Sequence, residues 1–464
     1  MSKNKIHFEI SERKMILHLF DVFFVLLALY FVGTTFEVNY LKEVVLTRTY
    51  IVLFVSYLTV FGLVFELYHL QVASNELQVL KSTLLTVSFT ILVYLLTPIF
   101  SPELPPNRIQ IVVFYAVVFI SLMSWRFFYV RYLASNRFIQ SALLICDDKQ
   151  VEELVLGLEN IDPHYKIIAY VPTDTESINK SLNTTYIDRI EQLEMASFVN
   201  ENAVSEIVIA SQSSEVITPE LYQQLMRLLE SGKIIRDYSQ VYESKTQRIP
   251  VQYIARDFYR FFPFSRSNQN KLYLSVVRIF EIILSLLGLF FGLILLPFII
   301  VGNVIANRGG LFYTQKRIGK DGVPFEILKL RTMIKNAELN GAVFATTNDQ
   351  RITSFGKFLR KTRIDEIPQV INILKGDMAI IGPRPERPEI VKQIAGNMPF
   401  YETRHIVKPG LTGWAQVNYS YGENIEDSLI KLQYDLYYIK HRSFYLDLNI
   451  TLKTITTVLF YRGQ

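Results

Sequence analysis

Four apolar runs, about Met15–Phe36, Thr49–Tyr68, Val79–Phe100 and Ile109–Tyr129, fill the N-terminal part of the chain. Each is close to the ~20 residues a helix needs to cross a hydrocarbon core. Lipid offers no partner for backbone N–H and C=O groups, so segments of this kind must fold as helices. They predict a membrane α-helical bundle of four transmembrane helices over residues 1–137. The first run follows Lys3, Lys5, Arg13 and Lys14 and is too long for a cleavable signal, so it is expected to stay as an anchor. Lys and Arg resist translocation, which puts the N-terminal tail and the Arg126, Arg131, Arg137 cluster on the cytoplasmic side. Asp21 falls inside the first run; a functional group and a place near the interface both account for it, and no role is assigned.

Half of the 464 residues are apolar and a fifth are charged, which fits a membrane protein carrying substantial soluble parts. The formal charge of +5 is modest, but the basic residues gather in the C-terminal third. That favours anionic partners such as nucleotide or lipid phosphates over nucleic acid, with a merely solvated basic face as the alternative. Cys146 is the single cysteine, so no internal disulfide can form, and the six histidines lack zinc-ligand spacing.

Residues 138–264 read as a cytoplasmic α/β, Rossmann-like domain. Ala142–Cys146, Lys166–Val171 and Glu206–Ala210 have the continuous apolar character of buried parallel strands, with helices expected at Val151–Leu158, Ile190–Asn200 and Glu220–Ser231. A dinucleotide-binding unit would carry glycines after its first strand; here Asp147 and Asp148 stand in that turn and would repel a pyrophosphate. A regulatory or dimerising role is the expectation instead.

A fifth apolar run, Ile282–Val301, contains Pro297. As an ordinary crossing it would carry everything after it to the far side. A helix broken at Pro297 that re-enters the cytoplasmic leaflet, over about residues 272–305, keeps the basic C-terminal module inside and is preferred.

That module, residues 265–464, opens with a predicted hairpin. Gly309–Gly322 reads as a strand and glycine turn, and Pro324–Met333 as a strand with Lys329 and Arg331 on one face. Arg351, Lys357, Arg360, Lys361 and Arg363 lead into Asp365 and Glu366, and the run Ile367–Leu374 looks helical. Asp365 has two readings. It is either a plain N-cap or a carboxylate that the helix dipole and nearby arginines keep ionised for attack on phosphorus. Gly382–Glu386 and Lys408–Val417 are rigid loops in which Arg384, Arg387 and Gln416 supply donors for phosphate or base oxygens, unless they are packing turns. Phe444–Tyr461 suits an interfacial or a buried amphipathic helix.

Lys329–Met333, Arg363–Gln369, Gly376–Met378, Gly382–Glu386 and Pro409–Val417 resemble, in order, the motifs of the bacterial sugar transferases, the polyprenyl-phosphate hexose-1-phosphate transferases with a monotopic catalytic core. The resemblance covers about Lys271–Gln464, and the layout resembles the long members that start exopolysaccharide, capsule or O-antigen assembly. It implies a UDP-sugar donor, undecaprenyl phosphate as acceptor, Mg2+, UMP as product and a catalytic domain on the cytoplasmic side of the bacterial inner membrane. By motif position Asp365 is the implied nucleophile, Glu366 the implied metal partner or acid/base, Arg360 a phosphate contact and the Arg384 loop a nucleotide contact. Membrane lipids and a homodimer are the expected partners. Two departures stand out: Leu296 precedes Pro297 where relatives often have serine, and Arg363 stands where many have serine. The rival reading, from another class, is a membrane-anchored, ligand-sensing scaffold of a polysaccharide assembly system.

Overall fold

A computed structural model describes residues 10–68, 73, 76–98, 100–133, 140–159, 165–173, 187–202, 204–210, 218–251, 266–307, 309–334, 351–398, 400–419 and 425–459. The chain forms two compact units, Met1–Val241 and Tyr242–Gln464.

In the first unit, apolar helices fall on the expected runs: α1 (Ile10–Thr35), α3 (Arg48–Val64), α4 (Glu76–Leu95) and α5 (Ile109–Phe128). An additional short helix, α2 (Asn39–Leu46), meets α3 at 89°, because Thr47 between them is extended. Residues spaced by three and four pack inward, as in Phe114, Val118 and Leu122 on α5 against Phe54 and Leu58 on α3. Phe54 meets Tyr94 edge-on, their centroids 5.5 Å apart.

Asp21 and Arg126 pair with each other. Arg126 is fully buried in the last turn of α5, where its Nε donates to Asp21 Oδ1 at 3.0 Å and its Nη2 to Oδ2. Arg137 lies outside the described residues. The pair closes α1 on α5, and each buried charge is admissible because the other neutralises it.

The same unit carries a five-stranded sheet in the order β3-β2-β1-β4-β5, parallel throughout, from β1 (Gln140–Cys146), β2 (Tyr165–Pro172), β3 (Asp188–Arg189), β4 (Glu206–Ile209) and β5 (Ile234–Asp237). Helices α6 (Val151–Glu159), α7 (Met195–Glu201), α8 (Pro219–Glu230) and α9 (Tyr238–Thr246) intervene or follow. The turn after β1 is held by its own acids. Asp147 accepts from the Thr173 hydroxyl, and Asp148 pairs with Arg189 at 3.3 Å.

The second unit begins with α10 (Lys271–Gly302), whose first turn is capped by the Asn270 side chain. At ~1.5 Å per residue its 32 residues reach about 48 Å, longer than a ~30 Å hydrocarbon core. Pro297 lies inside this helix without interrupting it, so the break expected there is not found. The missing N–H removes one backbone bond and the helix runs on into a π-turn, Asn303–Asn307. Most of α10 is apolar and exposed. One heptad-spaced face is not: Arg278, Glu281, Ser285, Gly288, Gly292, Leu295, Ile299 and Gly302 turn toward the rest of the unit.

Against that face lies the segment formed by α11 (Ser354–Lys361), a 3₁₀ turn (Ile364–Gln369) and α12 (Val370–Lys375). Arg278 donates to the carbonyls of Ile373 and Leu374 at 2.6 and 2.8 Å, capping the C-terminus of α12. A Cβ on Gly288 would stand 3.1 Å from Val370 Cγ1, and one on Gly292 2.9 Å from Ile367 Cγ2. A side chain at either position would crowd these branched neighbours, most at Gly292.

Strands β6 (Phe312–Ile318) and β7 (Pro324–Leu330) form the predicted hairpin, turned at Lys320–Gly322 with Gly322 at φ +77°. The parallel pair β8 (Ala379–Ile381) and β9 (Gly410–Thr412), with α13 (Pro388–Asn397), α14 (Trp414–Asn418), α15 (Ile425–His441) and α16 (Phe444–Leu459), complete the unit around Trp414, Leu436, Tyr438 and Ile450. Helix α16 packs Leu446 and Ile450 inward and leaves Phe444, Tyr445, Leu448, Ile455 and Val458 exposed. Tyr461 lies outside the described residues.

Two outcomes follow from these contacts. Asp21→Leu strands a buried guanidinium and should cost about 3–5 kcal/mol, whereas Asp21→Leu with Arg126→Met should recover most of it; equal melting losses for both in nanodiscs would contradict the pairing. Gly292→Val should destabilise by about 1–3 kcal/mol through overpacking on Ile367. Ile367→Ala in the same chain should recover part of that loss, and strict additivity of the two would refute the contact.

Candidate active site

The 3₁₀ turn Ile364–Gln369 is set up by Arg363, whose left-handed backbone (φ +58°) reverses the chain after α11. The turn buries both acids: Asp365 is 7% and Glu366 8% exposed. Asn372 fixes it to the hairpin, since its Oδ1 accepts from Leu328 N at 3.0 Å and its Nδ2 donates to Glu326 O at 2.7 Å. The expected α-helical cap is thereby corrected. The α-helix starts only at Val370, so Asp365 lies within the 3₁₀ turn and not at the mouth of a helix dipole.

Glu366 is the hub. Its Oε1 accepts from Lys329 Nζ at 3.2 Å and from Arg384 Nη2 at 3.1 Å, and its Oε2 lies 3.9 Å from Arg363 Nη1. Burial alone would raise its pKa, but the charges of Lys329, Arg384 and Arg363 outweigh that and hold it well below the usual carboxylate range. In return Glu366 raises Arg384, while burial lowers Lys329.

Asp365 behaves differently. Its Oδ1 is buried and has no hydrogen-bond partner among the described residues. Burial, and then the neighbouring Glu366 charge, push its pKa up to about 6 against the opposing pull of Lys329, Arg360 and Arg363. The cations therefore do not dominate Asp365 as the sequence suggested. It remains ionised at neutral pH, but as a more basic carboxylate than an ordinary aspartate.

Of the other predicted residues, the structure brings Lys329, Arg363 and Arg384 onto Glu366. Arg360, in the last turn of α11, donates from Nε to Thr332 Oγ1 at 2.9 Å. Arg331 parts from Lys329: β7 ends at Leu330, and the Arg331 Nε donates to Gly310 O at 2.9 Å. Arg387 stands at the N-cap of α13, and Gln416, in α14, donates to Leu411 O of β9 at 3.1 Å. The glycines of the two loops serve packing. Gly382 N donates to Thr412 O and Gly410 N to Pro383 O, both at 2.9 Å, and a Cβ on Gly382 would stand 2.3 Å from Lys408 O.

Residues missed in the sequence turn out to hold Arg384 in place. Arg404, buried against Asp435 at 2.7 Å, donates to Arg384 O at 3.0 Å. Arg317 donates to Pro385 O at 3.0 Å and pairs with Glu386 at 3.5 Å; burial lowers its pKa to about 10. No local spacing signals either contact, because each partner lies tens of residues away.

Among the described residues no three His, Cys, Asp or Glu side chains cluster as a ready cation cage. The site is instead a buried, cation-rimmed carboxylate pair with one unsatisfied oxygen, an arrangement suited to an anionic electrophile that brings oxygens of its own.

The sequence model of the family described as Bacterial sugar transferase matches residues 272–461, which include every residue of this site. The chain is 48% identical over 155 residues to the UDP-N-acetylgalactosamine-undecaprenyl-phosphate N-acetylgalactosaminephosphotransferase of Aeromonas hydrophila, covering 33% of the chain and 37% of that protein. It is 42% identical over 164 residues to the UDP-glucose:undecaprenyl-phosphate glucose-1-phosphate transferase of Xanthomonas campestris pv. campestris, covering 35% and 34%. It is 36% identical over 186 residues to the protein of that same name from Caulobacter vibrioides, covering 39% and 69%. The matched stretch thus spans 37% and 34% of the first two relatives and 69% of the third. With the site lying inside that stretch, the chain belongs to the bacterial sugar transferase family.

Proposed function

We propose that this protein transfers a hexose-1-phosphate from a UDP-sugar to undecaprenyl phosphate and releases UMP, as the first membrane step in assembling an extracellular polysaccharide. The observation that carries the reading is the contrast within the carboxylate pair. Glu366 is held by cations on both oxygens and is a poor nucleophile, whereas Asp365 keeps a buried oxygen without a partner and a raised pKa. In the first displacement Asp365 Oδ1 attacks the β-phosphorus, the bond from phosphorus to the bridging oxygen breaks, and UMP leaves with that oxygen. In the second, an oxygen of undecaprenyl phosphate attacks the same phosphorus and frees the carboxylate. Arg360, Arg363 and Arg384 supply positive charge where phosphoryl oxygens would gather.

Mg2+ would fit as an ion shared with the substrate, a hard cation that takes carboxylate and phosphate oxygens. Glu366 Oε2 is the group that would hold it, leaving Asp365 Oδ1 for attack, and the ion would neutralise charge on the diphosphate.

The membrane placement proposed is monotopic and cytoplasmic, with α10 lodged in one leaflet. Contacts along α10 support it: Arg278, Gly288, Gly292 and Gly302 all rest on the one segment 355–374. Were α10 upright across the bilayer, Ile367 beside Gly292 would draw Asp365, Glu366 and their cations to hydrocarbon depth, where unscreened charge is costly. The exposed apolar side chains of α16 suit the same interface. The preceding bundle and a Rossmann-like reading of the five-stranded sheet complete the layout of the long members.

Asp365→Asn should abolish UMP release from every donor in a panel of UDP-sugars with polyprenyl phosphate and Mg2+, and should trap no labelled phosphosugar on the protein. Normal turnover by this variant would remove Asp365 from its role. UDP instead of UMP as product would point to single-displacement glycosyl transfer. The pH dependence has a definite sign. A raised pKa keeps the proton on Asp365 to higher pH, so single-turnover UMP release should fall as pH drops through about 6, well above the ordinary aspartate value of 3.8. An acid limb at the ordinary value would show that burial does not tune the nucleophile.

A further inference from the structure

The stretch Tyr242–Val251, the end of α9 and the residues after it, belongs to the second unit although it precedes the matched residues 272–461. Its groups find their partners inside that unit. Glu243 pairs with Lys440 at 2.7 Å and with His441, at the end of α15. Gln247, at φ +56°, turns the chain, and its carbonyl accepts from Trp414 Nε1 at 3.2 Å. Arg248 lies over the Tyr434 ring, 4.9 Å from its centroid, and Ile249 N donates to Gln433 O at 3.1 Å. Ile249 and Val251 are buried in the core that holds Trp414, Leu432 and Leu436.

Both elements gripped by this stretch lead to the Arg384 loop. Two residues beyond Gln433, Asp435 holds Arg404 at 2.7 Å, and Arg404 donates to Arg384 O at 3.0 Å. Trp414 follows Gly413, which lies so close to the first residue of the loop that a Cβ on it would stand 2.1 Å from Gly382 O. Strands β8 and β9 have only three residues each, too short a pair to fix the loop after β8 unaided, so its place is set by what packs behind it.

We infer that Tyr242–Val251 is a positioning strap: by fixing α15 at Gln433 and the start of α14 at Trp414, it sets where the Arg384 guanidinium stands, 3.1 Å from Glu366. This rests on the proposed function for the ligand that Arg384 meets. The value of a guanidinium to a phosphate depends on its placement as well as its charge, and a small displacement of a binding group costs affinity. The geometry of the site thus depends on residues outside the stretch that the family model covers.

The test uses the full-length protein in nanodiscs and two readouts, UDP affinity by calorimetry and the rate of UMP release. Ile249→Ala removes the apolar anchor of the strap, Ile249→Val keeps most of it, and Trp414→Phe keeps a ring in the core but leaves the Gln247 carbonyl without its donor. Ile249→Ala and Trp414→Phe should each weaken UDP binding roughly 5-fold, the scale of one hydrogen bond. Ile249→Val should match the parent. Combined with Arg384→Ala, neither strap variant should weaken UDP binding further, because the group it positions is gone. Parental UDP affinity for Ile249→Ala, or losses that multiply in the double variants, would overturn the inference and leave the strap as packing alone. Should Ile249→Ala fail to fold, Trp414→Phe decides by the same comparison. A parent that binds UDP yet releases no UMP would count against the proposed reaction and leave the calorimetric comparison to judge the strap.

Discussion

A carboxylate buried to the degree of Glu366 is tolerable only if cations replace the water it has lost, and in this unit they come from three separate places. Lys329 comes from the end of the hairpin, Arg363 from the left-handed residue before the turn and Arg384 from the loop after β8. Apolar contacts already bring these elements together, with Ile327 in one cluster with Ile373 and Met378, and Leu330 in another with Leu359 and Ile364. Meeting at one anion sets their relative positions, and the second layer exists to keep the meeting point still: Asn372 stitches the turn to β7, while Arg404 and Arg317 grip the Arg384 loop from behind. With Glu366 Oε1 engaged by Lys329 and Arg384, Asp365 Oδ1 is left with capacity for something else.

The long helix α10 extends the same logic outward. Its buried face is polar at one end, where Arg278 caps α12, and nearly without side chains in the middle, where Gly288 and Gly292 admit Val370 and Ile367. Its other face is apolar and exposed. One helix thus serves two solvents. The face toward the turn that carries Asp365 is specified by small residues and terminal hydrogen bonds, and the face away from it needs only to be greasy.

What could be read from the sequence was what local pattern determines. Continuous apolar runs placed the strands Gln140–Cys146, Tyr165–Pro172 and Glu206–Ile209 within a residue or two, because strand character is written in consecutive positions, and the hairpin strands were placed within about three. The motifs located Asp365, Glu366, Lys329 and Arg384. Pairings across large separations were out of reach: Asp21 with Arg126 across 105 residues, and Arg404 with the backbone of Arg384. Two local rules also failed for stated reasons. Pro297 did not break α10, since a helix supported on one side tolerates the loss of one bond, and Arg331 did not join Lys329, since the strand ends between them.

Arg363 joins these threads. A non-glycine residue at φ +58° costs on the order of 1 kcal/mol or more, and glycine would adopt the same reversal freely. Glycine would bring no charge. At this position arginine places a guanidinium 3.9 Å from Glu366 Oε2 and pulls the Asp365 pKa downward against its burial. Backbone strain is thus accepted where a cation is needed to keep two adjacent buried carboxylates ionised together. Without that charge, burial and the neighbouring Glu366 would push the Asp365 pKa further up.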